Sequence, residues 1–110
     1  MEEATRVLAK TTVQRTLNLL SDPSRWTKHV SALDEGGSSV NPRSEKAACW
    51  CLSGALEAAS FDTNGQLTAN SKLTQAVRDR GYVSVPAFND SADTSHADVI
   101  DVLSEVDARL

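Results

Sequence analysis

Few residues in this chain are of types that do chemistry. They are two cysteines, Cys49 and Cys51, an amide–carboxylate pair, Asn89 and Asp90, and two histidines, of which His96 follows that pair closely. A thiol, an imidazole and a carboxylate are the residue types of thiol nucleophilic catalysis. Cysteines with histidines are also the usual ligands of zinc. A histidine near Asn and Asp can serve as a tuned base or a ligand contact. Which of these chemistries is open depends on the elements that place the side chains.

Residues 47–59, AACWCLSGALEAA, are apolar or small around most of a helical circumference, with Ser53, Glu57 and Ser60 as a narrow polar seam. The pattern predicts a central core helix wrapped by its neighbours. On such a helix Cys49 and Cys51 diverge by about 160°. They then share neither a tetrahedral zinc nor a disulfide, and no second cysteine pair exists to complete a metal site. Both read as small buried hydrophobes, with Cys51 in the middle of the apolar arc and Cys49 at its edge. Gly54 costs roughly 1 kcal/mol against Ala in a helix, and a close helix–helix approach is the compensation expected. No glycine-rich elbow or helix N-terminus points at Cys49 to lower its pKa, so spacing does not support a Cys49–His96–Asp90 catalytic set.

His96 falls in the first turn of a final helix over about 95–109, on its apolar side. Asn89 and Asp90 lie in the loop before it. Two readings stand side by side. The three residues form a binding site, or the Asn and Asp satisfy loop amides while His96 bonds a carbonyl and fixes how the last helix docks.

The remaining elements follow from periodicity. Residues 3–20 carry an amphipathic stripe through Leu8, Ala9, Val13, Leu17 and Leu20. Asp22 and Pro23 signal a cap and first turn, predicting a short helix over 22–33 with Trp26 as its anchor, its indole N–H finding an acceptor. Residues 34–39 are a loop, and Leu33 and Val40 at its ends permit a brief extended pairing. Asn64-Gly65 predicts a turn, a further helix spans 70–80 with Gly81 as its C′ residue, and residues 82–85 read as an extended connector stopped by Pro86. The last helix opens on Ser95-x-x-Asp98, the spacing of a capping box. The fold class is all-α: a compact bundle of four to five helices around a buried central helix, as one domain over residues 1–110.

Three segments taken together carry a resemblance. They are Leu19-Leu20-Ser21-Asp22-Pro23-x-x-Trp26-Thr27-Lys28, then Cys49-Trp50-Cys51-x-x-Gly54-Ala55-Leu56, then Phe88-Asn89-Asp90 with Ser95-His96-Ala97-Asp98-Val99. In this order they resemble a family of short bacterial and phage proteins of unknown function, across roughly residues 5–106. The family pattern has Trp where this chain has Phe88, and Thr where it has Ser95. The resemblance implies a shared fold and no activity.

Composition narrows the function classes. The chain has 110 residues, 40% hydrophobic and 24% charged, as a globular domain should. A net charge of −4 argues against a general nucleic-acid binder, which carries a basic surface. No stretch approaches the roughly 18 apolar residues of a membrane span. The acidic start Met1-Glu2-Glu3 is followed by no apolar signal core, so the expected location is the cytoplasm, with both thiols reduced. Asp98, Asp101 and Glu105 form an acidic stripe on the last helix, available to a basic partner. The reading that follows is a non-enzymatic cytosolic interaction protein, with a phage- or mobile-element-type inhibitor or accessory factor as the class it suggests. It would bind a protein partner through a polar or acidic surface, with Asn89, Asp90, His96, Asp98, Asp101 and Glu105 as binding candidates. No catalytic residue, metal or cofactor is assigned, and neither direct nucleic-acid nor membrane binding is expected. The alternative is a small-molecule binder or hydrolytic enzyme using Asp90, His96 and Cys49.

Overall fold

The stripe between residues 3 and 20 winds into α1 (Glu3–Leu19), burying Ala9, Thr12, Val13 and Thr16. The two threonine hydroxyls donate to the carbonyls of Leu8 and Thr12 one turn back, at 2.9 and 2.8 Å. That internal pairing lets polar side chains sit inside the core. The computed structural model describes residues 2–110.

No helix forms over 22–33. Asp22 does cap, accepting from the Ser24 N–H at 2.9 Å, but only a single 3-10 turn follows, Pro23–Arg25. The chain then extends, because its backbone groups find partners far away in sequence. The Thr27 N–H donates to the Trp50 carbonyl at 3.0 Å, and His29 takes the left-handed region at φ 73°. β1 (Ala32–Leu33) pairs antiparallel with β2 (Cys49–Trp50), Ala32 opposite Trp50 and Leu33 opposite Cys49. The extended pairing across the 34–39 loop is present, one residue from its predicted register: Leu33 bridges Ser39, and the Val40 N–H donates to Ala32 at 3.1 Å.

The helix predicted over 47–59 is thereby corrected at its start. The N–H groups of Ala48 and Cys51 donate sideways, to Leu33 at 2.7 Å and Ser31 at 3.1 Å. Only beyond Cys51, which caps in an extended conformation, does α2 (Leu52–Ala59) begin. It is short and mostly buried, with Leu52, Gly54, Ala55, Leu56 and Ala59 inside. Gly54 does serve a close approach, but to a strand-like segment rather than a helix. A Cβ there would stand 2.1 Å from the Ser31 carbonyl oxygen.

α3 (Thr63–Asp79) starts seven residues before its predicted position. Asp62 accepts from the Gly65 N–H at 2.9 Å, so Asn64 and Gly65 form its first turn instead of a loop. The bare Gly65 lets α3 touch the backbone of Leu8 on α1. Gly81, at φ 94°, ends the helix as expected. The connector at 82–85 and the loop at 89–90 are also corrected: they hold α4 (Val85–Asp90). Ser84 caps it by accepting from the Ala87 N–H at 3.1 Å, and Pro86 sits at its start, where no donor is needed.

α5 (His96–Arg109) opens on the predicted capping box. The Ser95 side chain accepts from the Asp98 N–H at 3.2 Å, and the Asp98 carboxylate accepts from the Ser95 N–H at 2.9 Å. α1 packs against α2, α3 and α5, and α3 also contacts α5. α1 and α5 run antiparallel. Arg6 donates to the Leu110 carbonyl and Lys10 to that of Asp107 at one end, while His96 meets Leu20 at the other. Leu20, Leu52, Leu73, Phe88 and Leu103 are the largest apolar side chains fully inside, in a mainly helical core.

Candidate functional site

α4 brings Asn89 inward because Val85, Phe88 and Asn89 share its buried face. Asn89 is 1% exposed, a burial that costs free energy unless the amide is fully bonded. Its oxygen accepts from the Trp26 indole N–H at 2.7 Å and from the Leu52 N–H at 3.0 Å. Its amide nitrogen donates to the Thr27 carbonyl at 3.1 Å and to the Asp90 carboxylate at 2.9 Å. Both lone pairs and both protons are therefore engaged. One side chain ties α4 to the Trp26 segment and to the first turn of α2.

Asp90 extends this knot to the surface. Its Oδ1 also accepts from the His29 N–H at 2.8 Å, which supports the left-handed backbone there, and Oδ2 lies 3.8 Å from His29 Nδ1. Partial burial pushes the carboxyl up. The bonds from the Asn89 amide and the His29 N–H, with the nearby His29 ring and Lys28 ammonium, outweigh it and hold the pKa below the ordinary value. Lys28 donates to the Ser91 carbonyl at 2.6 Å and lies 5.4 Å from the Trp26 ring centre.

His96 Nε2 is 2.6 Å from the Leu20 carbonyl. A carbonyl accepts only, so Nε2 carries the proton. The ring also sits 6.1 Å from that of Trp26. The structure thus gathers Asn89, Asp90 and His96 around Trp26. Cys49 stands apart on β2, opposite Leu33, and among the described residues no hydrogen bond links it to Asp90 or His96. Cys51 is nearer the knot, since it caps the helix whose Leu52 N–H meets Asn89. Burial pushes the Cys51 thiol up, and the Asp90 charge adds to that against the pull of the α2 amides. Among the described residues, no group of three or more metal-ligating side chains gathers.

The acidic stripe divides by role. Asp98 is a cap, its pKa lowered by the bonds from Ser95. Glu105 pairs with Arg109 at 2.7 Å and Arg80 at 3.5 Å. Lys10 lies 3.2 Å from the Asp107 carboxylate but off the line of a hydrogen bond, and its directed bond goes to the carbonyl of the same residue. Asp101 is exposed and, among the described residues, outside every ion pair.

A concavity away from this knot escaped sequence reasoning. A cleft of about 610 Å³ opens between the Pro23–Arg25 turn, the 34–36 turn and residues 45–48. Trp50 lines it, 8% exposed, its indole N–H donated to the Pro42 carbonyl at 2.9 Å. Arg25, Asp34, Glu35, Glu45 and Lys46 surround it, and none of the five is within ion-pair distance of an opposite charge among the described residues. Asp34 Oδ1 accepts from the N–H groups of Gly36 and Ser38, at 2.9 and 2.8 Å, which shapes one wall. Arg25 lies in the segment expected to be helical and the other four charges outside every predicted helix; the pairing of β1 with β2 gathers them.

The chain belongs to a family of unknown function (DUF6197), whose model matches residues 4–109. No curated protein and no solved structure matches it. No helix of the described residues is long and apolar enough to cross a membrane.

Proposed function

We propose that this chain is a non-enzymatic, cytosolic interaction protein that binds a protein partner through a polar, predominantly acidic surface. The observation that carries the reading is the charged cleft beside Trp50. It is lined by three carboxylates and two cations that have no ion-pair partner among the described residues. Groups left in that state are available to a partner's opposite charges, which gain specificity and association rate from the match. A basic segment of the partner suits Asp34, Glu35 and Glu45, and Arg25 and Lys46 set its register by rejecting misplaced cations. Asp101 and the exposed Asp93 near the start of α5 extend the acidic character of the surface. Small acidic accessory proteins or inhibitors of bacterial and phage origin are the class this suits.

The opposing reading, a hydrolytic enzyme or small-molecule site on Asp90, His96 and Cys49, has weaker support. Asn89 and His96 already hold internal partners, and Cys49 is not bonded to the other members.

Affinity capture from a bacterial extract, followed by titration of the purified partner, tests the proposal. Charge reversal in the double variant Glu35→Lys, Glu45→Lys should weaken binding and flatten its salt dependence, with circular dichroism unchanged. The same reversal at Asp101 reports on the α5 face. Wild-type affinity in both variants would sink the proposed surface.

A further inference from the structure

The small sheet has one open edge. On its far side β2 is covered by the Trp26–Thr27 segment, which bridges Trp50 and gives its Thr27 carbonyl to Asn89. On the near side, residues 38–41 run outermost. Their inward bonds are two: the Ser38 carbonyl accepts from the Asp34 N–H at 2.9 Å, and the Val40 N–H donates to Ala32 at 3.1 Å. Backbone groups alternate in direction along an extended chain, so the Ser39 N–H and C=O point outward between those bonds. The Asn41 N–H points the same way, its residue kept extended by Pro42. None of the three groups has a hydrogen-bond partner among the described residues. Ser38, Ser39 and Asn41 are exposed. No charged residue or proline, the usual devices that block an edge, lies between Ser38 and Asn41.

The register fixes what a segment added at this edge would meet. Ser39 stands opposite Leu33, and Leu33 opposite Cys49, so the three share one face of the sheet. Leu33 and Cys49 are half-buried there. Asp34 and Ala48 fall on the other face, which lines the cleft beside Trp50. The Asp34 carboxylate leans toward the open edge, since its Oδ1 accepts from the Ser38 N–H at 2.8 Å. Neighbouring strands lie about 4.8 Å apart, so a new strand is one spacing from Ser38 and within reach of a lysine or arginine stem. Glu35 is exposed on the same turn.

We propose that the Ser39–Asn41 edge binds an extended segment of a partner protein by antiparallel strand addition, with basic and apolar side chains alternating along that segment. This rests on the reading of the charged cleft as a partner's docking surface and gives the partner its chemistry. One partner residue closes both bonds with Ser39, and a residue two positions along accepts from Asn41. Partner residues on the Leu33–Cys49 face are apolar. Those between them carry the cations that meet Asp34 and Glu35. Main-chain bonds then supply affinity, and the alternate side chains supply specificity.

The probe is a synthetic peptide, Lys-Val-Lys-Val-Lys-Val-Lys with blocked ends, titrated into the isotope-labelled full chain and followed by NMR. The Ser39 and Asn41 amides should move most and exchange more slowly at saturation. Ser39→Pro deletes one outward donor and leaves both inward bonds, and it should weaken binding about tenfold, the worth of one or two backbone hydrogen bonds. The unaltered protein should show the same loss when the valines of the peptide, which face Ser39, are N-methylated. Exchanging the lysines for glutamates should abolish binding. Equal affinity for the N-methylated peptide, or shifts confined to the cleft, would overturn strand addition while leaving the cleft as a docking surface. No binding of the lysine peptide would overturn the partner chemistry assigned to this edge, whereas charge reversal against the captured partner decides the cleft separately.

Discussion

The Trp26 indole N–H bonds to the Asn89 side chain at 2.7 Å across a separation of 63 residues. The same Asn89 oxygen takes the Leu52 N–H, so a single buried amide fixes three separate segments at once. Such a knot rigidifies when every group is satisfied and fails when one is not.

Asn89→Ala should therefore lower stability by roughly 2–4 kcal/mol, since it strands the Trp26 indole, the Leu52 N–H and the Thr27 carbonyl. Urea unfolding followed by tryptophan fluorescence measures it. A loss below that of an ordinary surface substitution would show that the knot is not structural.

His96→Ala should also destabilise, by roughly 1–3 kcal/mol, by leaving the Leu20 carbonyl without its donor where α1 ends and α5 begins. An unchanged melting temperature would return His96 to the list of ligand contacts.

Two glycines should respond differently to alanine. At Gly54 the added methyl meets the Ser31 carbonyl oxygen at 2.1 Å, a clash with backbone, and the expected loss is about 3 kcal/mol or more. At Gly65 the nearest atoms, in Leu8, are at 3.1 Å, and alanine's helix propensity offsets part of the crowding, about 1 kcal/mol. Paired denaturation curves decide it. Equal losses would contradict the packing described at Ser31.

Acid should weaken the fold through Asp90. Its folded pKa lies below the unfolded value, so the unfolded chain takes up the proton first as pH falls. The stabilisation is fully present above the ordinary carboxylate value, about 4, and is lost as pH falls through the folded pKa. Asp90→Asn should flatten the acid limb of the melting-temperature profile. An acid limb as steep as the wild type's would assign the effect to other carboxylates.

His29 sits at φ 73°, a region that costs a side chain bearing a Cβ about 1–2 kcal/mol. His29→Gly keeps the N–H bond to Asp90 and removes that strain, against the greater entropy of glycine in the unfolded chain. A gain of up to about 1 kcal/mol is expected. Thermal unfolding at neutral pH checks it, and a clear loss would mean that the imidazole–Asp90 pair outweighs the strain.

Much of this fold was legible in the residues; what was not falls into two kinds, the local caps at Asp62 and Ser84 that start α3 and α4, and bonds to partners distant in sequence. α1, α5, the Ser95–Asp98 box, the Asp22 cap, the Gly81 terminus and the need of Trp26 for an acceptor all follow from neighbours within four positions. The candidates Asn89, Asp90 and His96 were found by type, and they do assemble. Their bonding was not legible, because the acceptor of Trp26 lies 63 residues away and that of His96 lies 76 away. The cleft at Trp50 was invisible for the same reason, since its charges come from three loops.

By itself, then, the sequence determined the helical class of the protein, its two longest-range amphipathic faces in α1 and α5, and the caps at Asp22 and Ser95. Periodicity and capping are properties of contiguous residues. Tertiary structure alone decided the conformation of Cys49-Trp50-Cys51. Its residues suit a helix, but a backbone N–H can donate along the chain or across it. Ser31 and Leu33 offered carbonyls across it, so the stretch became extended and the helix began only after Cys51.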